Sequence, residues 1–241
     1  MTADSLVMGE QEMDYAFNEN HVKFILELDQ EDTVLYDHLR LNALYWGLTS
    51  LDILGQLQLQ DLEKSKTFVK SCWNADGGFG GSPGHDSHLL FTLSAIQIYV
   101  LCQWPIEEIK LKVTDYIQSL IRPNGAVSGD SWGEEDTRFV YCAVSGLSLL
   151  GSLDELKDID KTVEYIQSCS NFDGGYGSIP GAESHAGQIF CCVGALTILG
   201  RKDLIAKKEL SEWLAERQLP CGGLNGRPEK KEDVQLTKIK Y

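Results

Sequence analysis

Four short polar segments hold the residues able to do chemistry: SPGHDSH (Ser82 to His88), GEEDTR (Gly133 to Arg138), PGAESH (Pro180 to His185) and GRPEKKED (Gly226 to Asp233). Aligned on the glycines that precede them, His88, Arg138 and His185 fall in the first turn of an apolar helix, and Arg40 takes that place further upstream. Imidazole, guanidinium and ammonium groups gathered on one rim stabilise an anion. Apolar walls beneath that rim suit a molecule with a long apolar tail and an anionic head. A single His or Arg at a helix start has a plainer use, capping a turn or pairing with a carboxylate such as Glu135, so the recurrence is what argues for a shared site. His85 and His88 have the spacing of a metal pair, but with no third ligand in reach two solvated imidazoles in a turn is the better reading.

The elements that position these residues form a repeat. Glycine loops recur as NADGGFG (Asn74 to Gly80), RPNGAVSG (Arg122 to Gly129), NFDGGYG (Asn171 to Gly177) and LPCGGLNG (Leu219 to Gly226), with Gly77, Gly125, Gly174 and Gly222 spaced by 48, 49 and 48 residues. So regular a period over four units signals a repeat architecture. Each unit has a helix with one apolar face before the loop, as in KTVEYIQSC, and after the polar segment a helix apolar nearly all round, as in HAGQIFCCVGALTILG. The second kind belongs inside and the first outside. Gly55, Gly151 and Gly200 stand where a helix ends in a left-handed residue. Residues 21–55 read as a further, divergent unit without the glycine pair. Helical hairpins of this kind stack as an open solenoid or curl into a ring, and the thick apolar inner helices favour the ring, an all-α α/α toroid.

Composition narrows the partners. The net charge of −15 is unsuited to neutralising phosphates along a nucleic acid. Residues 201–241 reverse the sign, with 10 basic residues against 7 acidic, so a basic end on an acidic body is placed to meet an anionic small molecule. MTADSLVMGEQEMDYAF has no signal-peptide core, and the longest apolar run, Leu89 to Cys102, is broken by Thr92, Ser94 and Gln97 and suits a buried helix. Seven cysteines without a CxxC pair fit reduced thiols. A cytoplasmic protein with no membrane span is expected.

GHDSHLLFTLSAIQI, SWGEEDTRFVYCAVSGLSLLG, NFDGGYGSIPGAESHAGQIFCCVGAL and ERQLPCGGLNGRPEKKEDV resemble the β subunits of protein prenyltransferases, most closely the type II geranylgeranyl branch that acts on Rab GTPases. The resemblance runs through residues 36–234. It implies an α/α toroid paired with a helical-repeat α subunit as a heterodimer, geranylgeranyl diphosphate as donor, and C-terminal cysteines of Rab GTPases, presented by an escort protein, as acceptors. His185, with Ala186 and Gly187 behind it, Arg227 and Lys230 match positions that hold the diphosphate, and Arg138 matches an arginine at the prenyl pocket. Asn42 and Leu93 match pocket positions where bulky aromatics would shorten the cavity, which implies room for a twenty-carbon chain and speaks against the farnesyl branch; Leu93 is equally suited to ordinary core.

The family's zinc, held by Asp, Cys and His, keeps the acceptor thiol as a thiolate. Asp233 matches the first ligand. Two residues on, where the family has Cys, stands Gln235, and the sequence runs to Tyr241 without the His. The expected organisation is an extension over 1–20, toroid repeats over 21–234 and a divergent tail over 235–241, the toroid incomplete at its C-terminus and transfer impaired for want of the zinc site. The alternative is a non-catalytic truncated form that still binds the α subunit or a prenyl diphosphate. A terpene-cyclase-like toroid ranks below both, since the cyclase acid motif DxDD is missing and Glu134-Glu135-Asp136 is a poor stand-in.

Overall fold

The computed structural model describes residues 18–27 and 34–233; the expected tail over 235–241 and all but the last three residues of the expected 1–20 extension lie outside them. The described residues form helices joined by turns and isolated bridges, with no strand among them. A short helix α1 (18–27) leads to α2 (Arg40–Ile53), after which outer and inner helices alternate: α3 (Leu62–Ser71), α4 (Leu89–Leu101), α5 (Lys110–Ser119), α6 (Thr137–Leu149), α7 (Ile159–Ser168), α8 (Ala186–Ile198) and α9 (Lys207–Ala215).

The apolar pattern decides which helix lies where. In α7 the side that buries Val163 and Ile166 continues into buried Cys169, and the other side is left to charge. In α4 burial spreads over most of the circumference, from Leu89 through Thr92, Leu93, Ser94, Ala95 and Ile96 to Ile98 and Tyr99. A fully buried leucine or isoleucine contributes about 2 kcal/mol, so the inner row carries much of the apolar driving force. Each inner helix packs on the next: α2 on α4, α4 on α6, α6 on α8. Gly55, Gly151 and Gly200 adopt φ of +67°, +63° and +72°, the left-handed helix ends their placement predicts.

Two kinds of contact fasten one unit to the next. The first is a hydrogen bond from the start of each inner helix to the glycine loop or polar segment of the following unit: Leu41 N–H to the Gly81 carbonyl, Leu89 to Gly129, Thr137 to Ser178 and Ala186 to Gly226, all within 2.8–2.9 Å. The second is the glycine loop pressed against the following outer helix. At Gly125 (φ +85°) a Cβ would sit 2.1 Å from the Lys161 carbonyl oxygen, and at Gly77 (φ +96°) 2.2 Å from that of Lys112, so backbone occupies the space a side chain would need. Within the loops, Asn74 donates to the His85 carbonyl and Ser87, and Asp76 accepts from Gly78 N–H and Ser87; Asn171, Ala182, Ser184, Asp173 and Gly175 repeat the arrangement one unit on.

Candidate functional site

The inter-unit hydrogen bonds fix the register of the polar segments. They place Leu41, Leu89, Thr137 and Ala186 as equivalents, and therefore Arg40, His88, Asp136 and His185 as the residues that enter each inner helix. This corrects the alignment that put Arg138 beside His88 and His185. Arg138 lies two residues further on, level with Asn42, Leu90 and Gly187, and the acidic Asp136 holds the entry position in that unit. Asp233 takes the same position in the fourth unit: its N–H bonds the Leu224 carbonyl as that of His88 bonds Phe79 and that of His185 bonds Tyr176.

Three of these residues act as N-caps. His88 Nδ1 accepts from Leu90 N–H at 3.1 Å, Asp136 Oδ1 from Arg138 N–H at 2.8 Å and His185 Nδ1 from Gly187 N–H at 3.0 Å. Capping sets the imidazole tautomer. With Nδ1 used as an acceptor, a neutral His185 carries its proton on Nε2, which remains a donor.

Arg227, Glu183, Asp233 and Arg138 all lie within electrostatic reach of His185. Burial first, then the Arg227 charge, hold the His185 imidazole below its ordinary pKa, with Glu183 and Asp233 opposing and Arg138 adding to the lowering. Arg227 Nη1 donates to Glu183 at 2.6 Å in an exposed pair. Arg138 Nη2 donates to Asp136 Oδ2 at 2.9 Å, and that hydrogen bond raises the guanidinium pKa further above its ordinary value. Lys230 lies on the same segment as Arg227, exposed, its carbonyl accepting from Asn225. Ala186 and Gly187 contribute space rather than donors: Ala186 N–H is engaged by Gly226 and Gly187 N–H by the His185 cap, and a Cβ at Gly187 would sit 3.2 Å from His185 Nδ1.

The helix that carries Arg138 and the helix that His185 caps also share an aromatic contact. Tyr141 on α6 meets Phe190 on α8 edge to face, ring centroids 5.4 Å apart, and lies where Gly194 leaves room: a Cβ there would be 2.8 Å from its ring. Burial raises the Tyr141 phenol above its ordinary range, Ser145 hydrogen-bonds it, and Tyr45 of α2 and Cys191 lie near enough to act on it. Cys191 also lies within electrostatic reach of Arg138, and its thiol is pushed up to about 12 by burial, so it stays protonated. Asn42 Oδ1 accepts from Ser94 at 2.9 Å, joining α2 to α4, and Leu93 belongs to the buried core facing Gly146.

Sequence reasoning missed Asp136, Tyr141, Phe190 and Cys191. The glycine spacing, carried on to Asp136, would have found the first; the others sit among apolar residues with nothing local to single them out. His85 pairs with Asp37 at 3.2 Å and His88 lies edge-on to Phe91 and Phe139, so the two histidines point to separate tasks, and among the described residues no cluster of His, Cys, Asp and Glu could hold a metal ion.

A family model described as the prenyltransferase alpha-alpha toroid domain matches residues 17–234. The chain belongs to the prenyltransferase α/α toroid family. Geranylgeranyl transferase type-2 subunit beta of Saccharomyces cerevisiae is 44% identical over 227 residues, covering 90% of this chain and 70% of that protein. The Candida albicans protein of the same description is 42% identical over 235 residues, covering 89% of this chain and 68% of its own length. Among solved structures, Candida albicans protein geranylgeranyltransferase-I complexed with GGPP superposes with a TM-score of 0.81 at 21% identity, covering 92% of this chain and 74% of that one, a likeness of fold. No helix among the described residues is long and apolar enough to cross a membrane.

Proposed function

We propose that this chain is the β subunit of a type II protein geranylgeranyltransferase and that it binds geranylgeranyl diphosphate with the head group among Arg138, His185, Arg227 and Lys230 and the tail along Tyr141, Phe190, Leu93 and Asn42. The observation that carries the reading is that Arg138 and Arg227 both reach His185 electrostatically, that the His185 cap leaves Nε2 as a donor, and that the same two helices hold the Tyr141–Phe190 contact. Rab GTPases presented by an escort protein are the acceptors, a separate α subunit completes a cytoplasmic heterodimer, and the relatives' names support transfer rather than cyclisation.

In this reading negative charge grows on the diphosphate as the allylic carbon–oxygen bond breaks. Fixed guanidinium and imidazole donors stabilise it with little reorganisation. Arg227 exchanges its Glu183 partner for the head group, and Arg138 keeps Asp136 while offering its remaining N–H groups. His185 donates through Nε2, which carries a proton in both the neutral and the protonated ring.

Zinc, the metal the family implies, does not fit the donors present. Asp233 is accompanied by no second and third ligand among the described residues, and Val234-Gln235 follows it, whereas a catalytic zinc takes three protein ligands. The second reading follows from that disagreement: the chain binds prenyl diphosphate, or the α subunit, with transfer impaired. Titration with geranylgeranyl diphosphate, together with transfer of labelled geranylgeranyl to a Rab substrate in the presence of α subunit and escort protein, separates the two. Binding without transfer supports the second, binding with transfer supports the first, and absence of saturable binding defeats both as regards the donor.

A further inference from the structure

Asp136 is only 6% exposed, and its carboxylate is used at both ends of one neighbour. Oδ1 accepts the Arg138 backbone N–H at 2.8 Å and Oδ2 accepts the Arg138 guanidinium at 2.9 Å. The guanidinium carbon also lies 5.5 Å from the Phe139 ring centroid, and that ring is met by the His88 imidazole at 5.4 Å between centroids. Arg138 is therefore folded back over the start of its own helix, held by a carboxylate on one side and an aromatic face on another. From there it acts electrostatically on both His88 and His185.

Capping alone does not account for the choice of residue. His88 and His185 cap α4 and α8 from the equivalent position without a negative charge. A buried carboxylate next to a site for an anion repels that anion, which would make aspartate the wrong cap unless it did something more. Among the inner-helix entries described, Asp136 alone is followed two residues on by an arginine; Asn42, Leu90 and Gly187 hold that place in the other units.

We propose that Asp136 is a positioning residue for the prenyl diphosphate site: it fixes the Arg138 guanidinium over the start of α6, beside the Phe139 ring, before the ligand arrives. The inference rests on Arg138 contacting the diphosphate, as proposed above. A free arginine side chain loses rotamer freedom on being ordered. Holding it in place beforehand removes most of that loss from the binding step. The positioning gain and the charge repulsion have opposite signs, so the direction of the mutational effect decides between them.

The test uses the full 241-residue chain and calorimetric titration with geranylgeranyl diphosphate, with geranylgeraniol as the probe lacking the anionic head. Asp136→Asn keeps a side-chain acceptor for the cap and removes the charge that grips the guanidinium. The expected result is about tenfold weaker binding of the diphosphate and unchanged binding of the alcohol. Asp136→Asn adds no further loss when built on Arg138→Gln, because the two act through one group. Asp136→Asn binding the diphosphate as tightly as wild type, or more tightly, while Arg138→Gln weakens it, overturns the positioning role and leaves Asp136 a cap. Arg138→Gln without effect overturns the underlying assignment of Arg138 instead. If Asp136→Asn does not fold, Asp136→Ser, which caps but is too short to reach the guanidinium, gives the same comparison.

Discussion

Asp136 and His185 hold the same place in successive units, each closing an inner helix by accepting the N–H two residues on. The backbone task is identical, and only the aspartate brings a negative charge to it. The repeat thus keeps a structural role constant while the side chain that performs it is free to acquire a second one, gripping Arg138 in one unit and facing Arg227 and Asp233 in the next.

His88 separates the structural role from the binding one. His88→Ala removes the α4 cap and the edge contacts to Phe91 and Phe139, and is expected to cost about 1–2 kcal/mol. His88→Asn, which preserves a capping acceptor, recovers about half of that loss. Chemical denaturation of the two variants measures the difference.

Replacing a loop glycine has a cost that depends on what faces it. Gly125→Ala both strains a left-handed residue and drives a methyl into the Lys161 carbonyl, and is expected to lose about 2–5 kcal/mol. Gly222→Ala, with φ +88° and nothing within 4 Å of the new Cβ, is expected to lose about 1 kcal/mol. Equal losses at the two positions would remove the helix contact as the reason.

The His185 imidazole, held below its ordinary value of 6.5 by burial and by Arg227 and Arg138 against Glu183 and Asp233, is neutral near pH 7. An anionic head group favours its protonated form, so binding takes up a proton. Affinity for geranylgeranyl diphosphate is expected to rise as pH falls from about 7.5 to about 6, and His185→Gln to lessen that dependence. The folded protein shows the complementary sign. A depressed folded pKa stabilises the fold above 6.5 and the contribution is lost as pH falls through the folded value, so the melting temperature drops on acidification and drops less in His185→Gln.

Zinc measured by atomic absorption on the purified 241-residue chain is expected well below one equivalent, and a chelator is expected to leave its melting temperature unchanged. Stoichiometric zinc that survives dialysis would show that Asp233 finds partners beyond those described.

Pocket depth is tested at Asn42. Asn42→Trp breaks the hydrogen bond from Ser94 and fills the space beside α4, and is expected to weaken geranylgeranyl diphosphate at least tenfold more than farnesyl diphosphate. Equal weakening of both ligands would place Asn42 away from the end of the tail.

The helical repeat was legible because glycines that must accept positive φ or a neighbouring backbone leave a mark that composition cannot blur. Gly77, Gly125 and Gly174 kept their spacing while the helices between them drifted. The site was legible only where a residue's charge coincided with its register. Scanning for cations matched Arg40, His88 and His185 correctly and then slid two residues to Arg138, because the role conserved at that point is an accepted hydrogen bond, which a carboxylate fulfils as well as an imidazole. Tyr141 and Phe190 were invisible for a different reason. On helices that are apolar nearly all round, no local pattern tells a residue lining a wall from one filling the core.

The hydrogen bonds from Leu41, Leu89, Thr137 and Ala186 all run forward, each to the unit that comes later in the chain. A hairpin emerging from the ribosome therefore lacks the acceptor that completes its inner helix until its successor has been made. Synthesis leaves one unfinished seam travelling with the growing end, and the seam closes behind each newly folded hairpin as the next is added.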